Sequence, residues 1–198
     1  MKRLEDLKVK IFADGAEKKG MLELYRLPYV KGFTTNPTLM RKAGISDYAA
    51  FAREMIAAIP DRPLSFEVFA DEFAEMERQA LLISTWGEHV YVKIPITNTR
   101  AESACPLIER LTAAGVKLNV TAMLTVAQVN DTCRALRGTP GAFVSLFAGR
   151  VADTGVDPVP LMAEAVDIVN TVPHAELIWA SPRELLKGEV GQVCEIAG

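Results

Sequence analysis

The hydrophobic and polar positions of this chain follow one repeated pattern. A short run of β-branched, aromatic and aliphatic residues, typical of a buried strand, precedes a longer stretch with apolar residues at helical spacing. This pair occurs seven times without a linker between repeats. Strands are predicted at residues 8–15, 32–36, 64–70, 90–95, 116–123, 141–150 and 175–181. Helices are predicted at residues 16–27, 37–59, 71–86, 100–114, 125–136 and 158–171. Pro37 is predicted to open the second helix, Thr125 to cap the fifth, and Pro182 to open a last short one.

This alternation predicts a parallel sheet with crossover helices. An open doubly wound sheet and an eight-stranded barrel both have this element order. No GxGxxG motif follows the first strand, which weakens the dinucleotide-binding form of the open sheet. Polar residues fall in or just past the carboxyl half of the predicted strands, namely Asp14, Thr35, Asn36, Glu67, Lys93, Asn119, Thr121, Arg150 and Ser181. Strand ends converge on one mouth in a barrel but form a row in an open sheet, so these residues favour the barrel.

The predicted barrel is one strand short. Seven strands do not close an eight-stranded barrel, and residues 188–198 resemble the end of a helix more than a core strand. We therefore predict an α/β fold of the (β/α)8 TIM barrel class that apparently lacks its eighth strand. The predicted domain organisation is a single barrel domain over residues 1–198.

Composition narrows the possible partners. A hydrophobic fraction of 49% predicts a full core, and a net charge of −3 argues against a nucleic-acid or anionic-membrane partner. The chain shows neither a signal-peptide pattern at its start nor an apolar window long enough for a membrane span. Its three cysteines and two histidines have no metal-binding spacing, so we expect reduced thiols, a cytoplasmic location and no metal.

Lys93 is the most informative residue of the predicted mouth. It lies near the end of a strand of β-branched, aromatic and apolar residues, 90–95. Burial disfavours a charged amine, and an uncharged amine can attack a carbonyl to form a Schiff base. The alternatives are a lysine that faces water at a sheet edge or one that is paired with a carboxylate.

Carboxylate, amide and hydroxyl groups are predicted to surround this lysine. Asn119 and Thr121 share one face of the fifth strand, and Asp14 and Glu67 add two inward carboxylates. Such a set of groups is suited to general acid–base catalysis on a carbinolamine and on a substrate hydroxyl. Ordinary ion pairs with Lys93 or Arg150 are the alternative for each carboxylate, since structural ion pairs also perturb pKa values.

A second group is predicted to bind a phosphate. Arg150, Ser181 and Arg183 come from the sixth and seventh strand ends, with Ser181 and Arg183 on one face if the strand continues. Two guanidiniums and a hydroxyl bind phosphate through charge-assisted hydrogen bonds, and phosphate sites are common late in such barrels. The alternative is a surface ion pair of arginine with Glu184 or Asp153.

Five segments of the chain resemble the motifs of the transaldolase family, in the family's order. They are FTTNPTL at 33–39, VKIP at 92–95, LNVT at 118–121, SLFAGRV at 145–151 and ASPR at 180–183. The resemblance runs from about residue 8 to residue 186, and the chain length is similar to that of the short members, which include fructose-6-phosphate aldolases. Family members continue past this region into an eighth strand, which is where this chain departs.

The resemblance implies a class I aldolase-type barrel that needs no cofactor. It implies that Lys93 forms the Schiff base, that Asp14 handles the C4 hydroxyl proton and that Glu67 and Thr121 act through a catalytic water. The substrate-binding residues that it implies are Thr35, Asn36, Asn119, Ser145 and Phe147 in the pocket and Arg150, Ser181 and Arg183 at the phosphate. The family's aldolases carry glutamine and tyrosine where this chain has Glu67 and Phe147, so the resemblance favours transaldolase.

The expected reaction is transfer of a dihydroxyacetone unit from sedoheptulose 7-phosphate or fructose 6-phosphate to an aldose phosphate, a step of the pentose phosphate pathway. An aldolase that uses free dihydroxyacetone and a non-catalytic sugar-phosphate binder are the alternatives. Short relatives form rings of five or ten subunits, so the resemblance also implies a homo-oligomer.

Overall fold

A computed structural model describes residues 9–182 of the chain. Seven parallel strands form one sheet in chain order, β1 to β7: Ile11–Asp14, Val30–Thr34, Leu64–Glu67, Val90–Pro95, Leu118–Met123, Ala142–Leu146 and Ala175–Trp179. The helices α1 to α8 are Lys18–Tyr25, Pro37–Lys42, Tyr48–Ala58, Phe73–Ser84, Cys105–Ala113, Val126–Ala135, Ala148–Asp153 and Pro158–Val169. A doubly wound sheet reverses its strand order at a switch point, so this sequential order rules it out.

The sheet curls so that its first and last strands approach each other. The Lys10 ammonium, just before β1, lies 2.7 Å from the Glu176 carboxylate on β7. Inside the curl, the Phe12 ring packs edge-on against Phe143 of β6, with 5.1 Å between ring centroids, and Phe143 contacts Tyr91 of β4 at 4.4 Å. Interior space at the amino end of the strands is therefore filled by side chains, as in a barrel. The predicted closure and residues 188–198 lie outside the described residues.

Strand alternation separates an apolar outer face from a polar inner one. Outward residues such as Val92, Leu118, Val120 and Val144 are fully buried under the helices and form the core. The inward residues are aromatic near the amino ends of the strands and polar near the carboxyl ends. Within residues 9–182, no helix is long and apolar enough to cross a bilayer.

Several predicted strand and helix ends are wrong by a few residues, and three of the differences have a clear local reason. The predicted helix over residues 37–59 is two helices, because Gly44 takes a left-handed φ of +70° and Asp47 caps α3. The sixth strand ends at Leu146 instead of reaching residue 150, because the Phe147 carbonyl already accepts the first hydrogen bonds of α7. The seventh strand ends at Trp179, and Ser181 has a φ of +56°. The predicted helix start at Pro37 and the predicted cap at Thr125 are confirmed.

Candidate active site

Lys93 lies inside the curl of the sheet and not at a solvated edge. The residue is 9% exposed, and its ammonium nitrogen is 3.3 Å from Glu67 Oε2. The same nitrogen donates to the Thr35 carbonyl over 3.4 Å. Glu67 and Lys93 are register partners on β3 and β4, which places both side chains on the inner face. The solvent-facing alternative is thus excluded, whereas pairing with a carboxylate is observed.

The Glu67 carboxyl is held between opposing influences. Burial raises its pKa above the ordinary value, and the Lys93 charge and hydrogen bond act in the other direction. The negative charge of Asp14 adds a smaller upward contribution to the pKa of Glu67. A carboxyl group with a raised pKa exchanges protons more readily at neutral pH than an exposed one does.

Asp14 stands at the carboxyl end of β1, directly beside Thr34 of β2. The Thr34 hydroxyl donates to Asp14 Oδ1 over 2.8 Å, and the two residues are register partners. The sequence argument chose Thr35 and missed Thr34. The Thr35 side chain is buried, and its hydroxyl has no hydrogen-bond partner among residues 9–182. Alternation points to Thr34, because residues 34 and 36 share a face.

A buried hydrogen-bonded row crosses the interior below the lysine. The Ser145 hydroxyl donates to Asn119 Oδ1 over 2.7 Å, and Asn119 Nδ2 donates to the Ser65 hydroxyl over 3.0 Å. Asn119 is also the register partner of Lys93 on the neighbouring strand. This row fixes the orientation of the Asn119 amide. Ser65 was not predicted, although its spacing of two residues from Glu67 places it on the same face.

Thr121 sits at an irregularity in β5. It pairs with Pro95, and the register between β5 and β6 shifts between Val120 and Met123. Ala122 has a φ of +65°, which only glycine adopts without cost. The Thr121 hydroxyl is buried without a hydrogen-bond partner within the part of the chain that the structure describes. This hydroxyl therefore has hydrogen-bonding capacity that the described protein groups do not satisfy.

Three further predicted residues lie at the start of α2 or in and just before α7. The Asn36 side chain accepts from the Leu39 amide and caps α2. Phe147 is the N-cap residue of α7, and Arg150 is an exposed residue of that helix and not of a strand end. The Gly149 amide donates to the Ala180 carbonyl over 3.4 Å, which brings α7 to the chain just before Ser181.

Arg183 lies outside the described residues, so the convergence of Arg150, Ser181 and Arg183 stays a prediction. Among residues 9–182, no group of three histidine, cysteine or acidic side chains is placed to hold a metal ion.

The sequence of this chain is similar to the sequences of one protein family. The family model described as transaldolase/fructose-6-phosphate aldolase matches residues 11–196. A probable transaldolase of Dehalococcoides mccartyi is 39% identical over 179 residues, which cover 90% of this chain and 79% of that protein. A probable transaldolase of Streptococcus agalactiae is 35% identical, covering 89% of this chain and 78% of that protein. Probable transaldolase 2 of Listeria monocytogenes is 33% identical, and the match covers 89% of this chain and 77% of that protein. The chain belongs to the transaldolase/fructose-6-phosphate aldolase family of enzymes.

Proposed function

We propose that this protein is a transaldolase that carries a dihydroxyacetone unit on Lys93. The observation that carries the proposal is the buried Lys93 amine, 3.3 Å from the Glu67 carboxylate and lying inside the curl of the sheet. An amine in this setting can lose its proton to a nearby base and attack the keto carbon of a sugar phosphate. The proposed donor is sedoheptulose 7-phosphate or fructose 6-phosphate.

In the first step, the Lys93 nitrogen bonds to the keto carbon and a carbinolamine forms. Protonation of its hydroxyl lets water leave, and the nitrogen lone pair closes the C=N bond of the imine. Glu67 has the raised pKa that suits a proton donor and acceptor in this step. The unpartnered Thr121 hydroxyl offers a contact for the water through which the proton passes.

In the second step, the C3–C4 bond breaks. Asp14 takes the proton of the C4 hydroxyl, an aldose phosphate leaves as the aldehyde, and the bonding electrons move into the protonated imine to give an enamine. Thr34 supports Asp14 by a 2.8 Å hydrogen bond. The enamine then attacks the aldehyde of an acceptor aldose phosphate, the reverse steps follow, and the imine is hydrolysed. The imine is the electron sink, so this route uses no cofactor.

The other predicted residues take binding roles in this proposal. Asn36, Asn119 and Ser145 contact the hydroxyls of the donor, and Phe147 lines the pocket. Arg150, Ser181 and Arg183 hold the phosphate of the donor. With this reaction, the protein serves the pentose phosphate pathway in the cytoplasm.

An assay of acceptor dependence tests the proposal. Fructose 6-phosphate is supplied with and without erythrose 4-phosphate, and glyceraldehyde 3-phosphate release is followed. Transfer predicts release that depends on the acceptor. Release of glyceraldehyde 3-phosphate at the same rate without acceptor would identify an aldolase. No release in either case would indicate a protein that binds sugar phosphates without catalysis.

Two lysine variants make the assay specific to the site. Lys93→Met is expected to lower the rate by a factor on the order of 10³ or more, because the nucleophile is gone. Lys117→Met is the matched control, since the Lys117 ammonium donates to the Glu88 carbonyl near the amino end of the strands. The control is expected to retain wild-type activity.

A further inference from the structure

The carbonyl of Glu67 lacks a donor from its neighbouring strand. Along the β2–β3 ladder, the Phe33 amide donates to the Pro63 carbonyl over 2.9 Å, and the Thr35 amide donates to the Ser65 carbonyl over 3.1 Å. If the ladder continued with the same spacing, its next hydrogen bond would join the amide of residue 37, the first residue of α2, to the Glu67 carbonyl. Residue 37 is a proline, which has no N–H, so the ladder stops one bond early at the candidate catalytic carboxylate.

Tyr48 supplies the missing donor from outside the sheet. Its hydroxyl, on the first residue of α3, donates to the Glu67 carbonyl over 2.9 Å. The Tyr48 ring packs edge-on against Phe66, Phe69 and Trp86, at centroid distances of 6.0, 4.8 and 5.4 Å. Three aromatic neighbours restrict the orientation of the ring, so the hydroxyl is held at the Glu67 carbonyl.

The rest of the β3 terminus is already fixed. The Val68 amide donates to the Lys93 carbonyl over 3.1 Å. Gln79 Oε1 then accepts from the amides of Phe69 and Ala70, over 2.8 and 3.1 Å. The peptide that follows Glu67 is therefore held on its amide side by β4, and the Tyr48 hydroxyl holds its carbonyl side.

We infer that Tyr48 is a positioning residue for Glu67, replacing the N–H that Pro37 lacks and so fixing the Glu67 carboxylate against Lys93. This inference rests on the proposed function for its catalytic consequence. Without the hydroxyl, the Glu67 carbonyl loses its partner, and the peptide after Glu67 is held only on the side of the Val68 amide. The Glu67 carboxylate then moves away from Lys93, and proton transfer during imine formation slows.

The test is Tyr48→Phe, which keeps the ring and removes the hydroxyl. We expect kcat to fall about tenfold, because the free energy of one hydrogen bond corresponds to about that change in rate. We expect KM to change less than about threefold. The acidic limb of the kcat/KM profile is expected to move to higher pH, because a carboxylate further from Lys93 loses the charge that lowers its pKa. Tyr25→Phe is the matched control, since the Tyr25 hydroxyl donates to Asp61 over 2.7 Å away from this site.

Two outcomes decide between a positioning and a structural role. A Tyr48→Phe variant that unfolds at lower urea but keeps the wild-type kcat and pH profile overturns the inference. If the wild-type enzyme itself shows no turnover, the proposed function fails, and NMR titration of the Glu67 side-chain carboxyl decides the inference alone. A shift of that titration in Tyr48→Phe and not in Tyr25→Phe supports the inference, and an unchanged titration overturns it.

Discussion

Glu67 shows how burial and charge compete at a single residue. Its carboxylate is paired with Lys93 at 3.3 Å, yet its pKa is raised, because the loss of hydration outweighs the attraction of the ammonium. Ionisation of the Glu67 carboxyl therefore lowers the free energy of unfolding. A residue that destabilises the fold at this position is typical of a site selected for chemistry.

The pH dependence of stability follows from this shift. A carboxyl whose folded-state pKa is above its unfolded-state value of about 4.3 contributes stability below that value and loses it as pH rises through the folded-state pKa. Glu67→Gln has no such titration. We predict that its free energy of unfolding, relative to wild type, increases as pH rises from 4 into the neutral range, measured by urea denaturation at several pH values. A relative stability that falls over this range would contradict the raised pKa.

Residue-level predictions from the sequence succeeded where the strand direction was unambiguous. Lys93, Asn119 and Ser145 lie buried on the inner face because alternation along long apolar strands fixes their orientation. Thr35 was chosen over Thr34 because β2 is short and its end was placed two residues late, at residue 36 instead of Thr34. In a short strand, knowing which residues are polar does not establish which face they occupy.

Strand β5 contains the clearest local distortion among the elements. Ala122 adopts a left-handed φ of +65° within the strand, beside Thr121. Met123 then pairs with Leu146 and returns to the buried outer face. The extra residue changes the alternation after Thr121, so Met123 faces outward where regular strand geometry would turn it inward.

Glycine substitution tests whether this backbone is strained. At position 122, Ala122→Gly removes the steric cost of a left-handed alanine, about 1 kcal/mol, which offsets the entropic cost of glycine. We predict that the variant is as stable as wild type or more stable in urea denaturation. The control Ala163→Gly, at a half-buried position in the middle of α8, is expected to lose about 1 kcal/mol or more. Equal losses in the two variants would show that Ala122 is unstrained.

Element types were easier to predict from the sequence than element ends. All seven strands were predicted because each is an apolar run rich in β-branched or aromatic residues. Helix α7 was absorbed into the sixth predicted strand, because residues 147–150 are small or apolar up to the arginine and carry no capping side chain. The end of a strand depends on hydrogen bonds with neighbouring strands, which the local pattern does not specify.

The whole molecule is held in its curl by contacts across the interior. Phe12 of β1 and Phe143 of β6 are not on neighbouring strands, yet their rings are 5.1 Å apart. Gly32 makes room for this arrangement, since a Cβ at that position lies 2.3 Å from the Phe12 ring. A parallel sheet was predictable from periodicity, whereas this curvature was predicted from the convergence of polar strand ends.

A double-mutant cycle measures the curl directly. Phe12→Leu and Phe143→Leu, alone and together, are expected to show a coupling energy of about 0.5–1.5 kcal/mol in urea denaturation, since the two rings touch. Phe12→Leu with Phe66→Leu is the matched control, because Phe66 packs on the outer face with Tyr48 and Trp86. Additive effects for Phe12 and Phe143 would contradict a sheet that curls around these rings.

The most direct test of the central claim is covalent capture of the imine. The protein is incubated with fructose 6-phosphate, reduced with sodium borohydride, digested and analysed by mass spectrometry. The account predicts a reduced dihydroxyacetone or ketose adduct on Lys93, absent from the same sample without borohydride and from Lys93→Met. An unmodified Lys93 in an active sample, or an adduct on another lysine in its place, would contradict it.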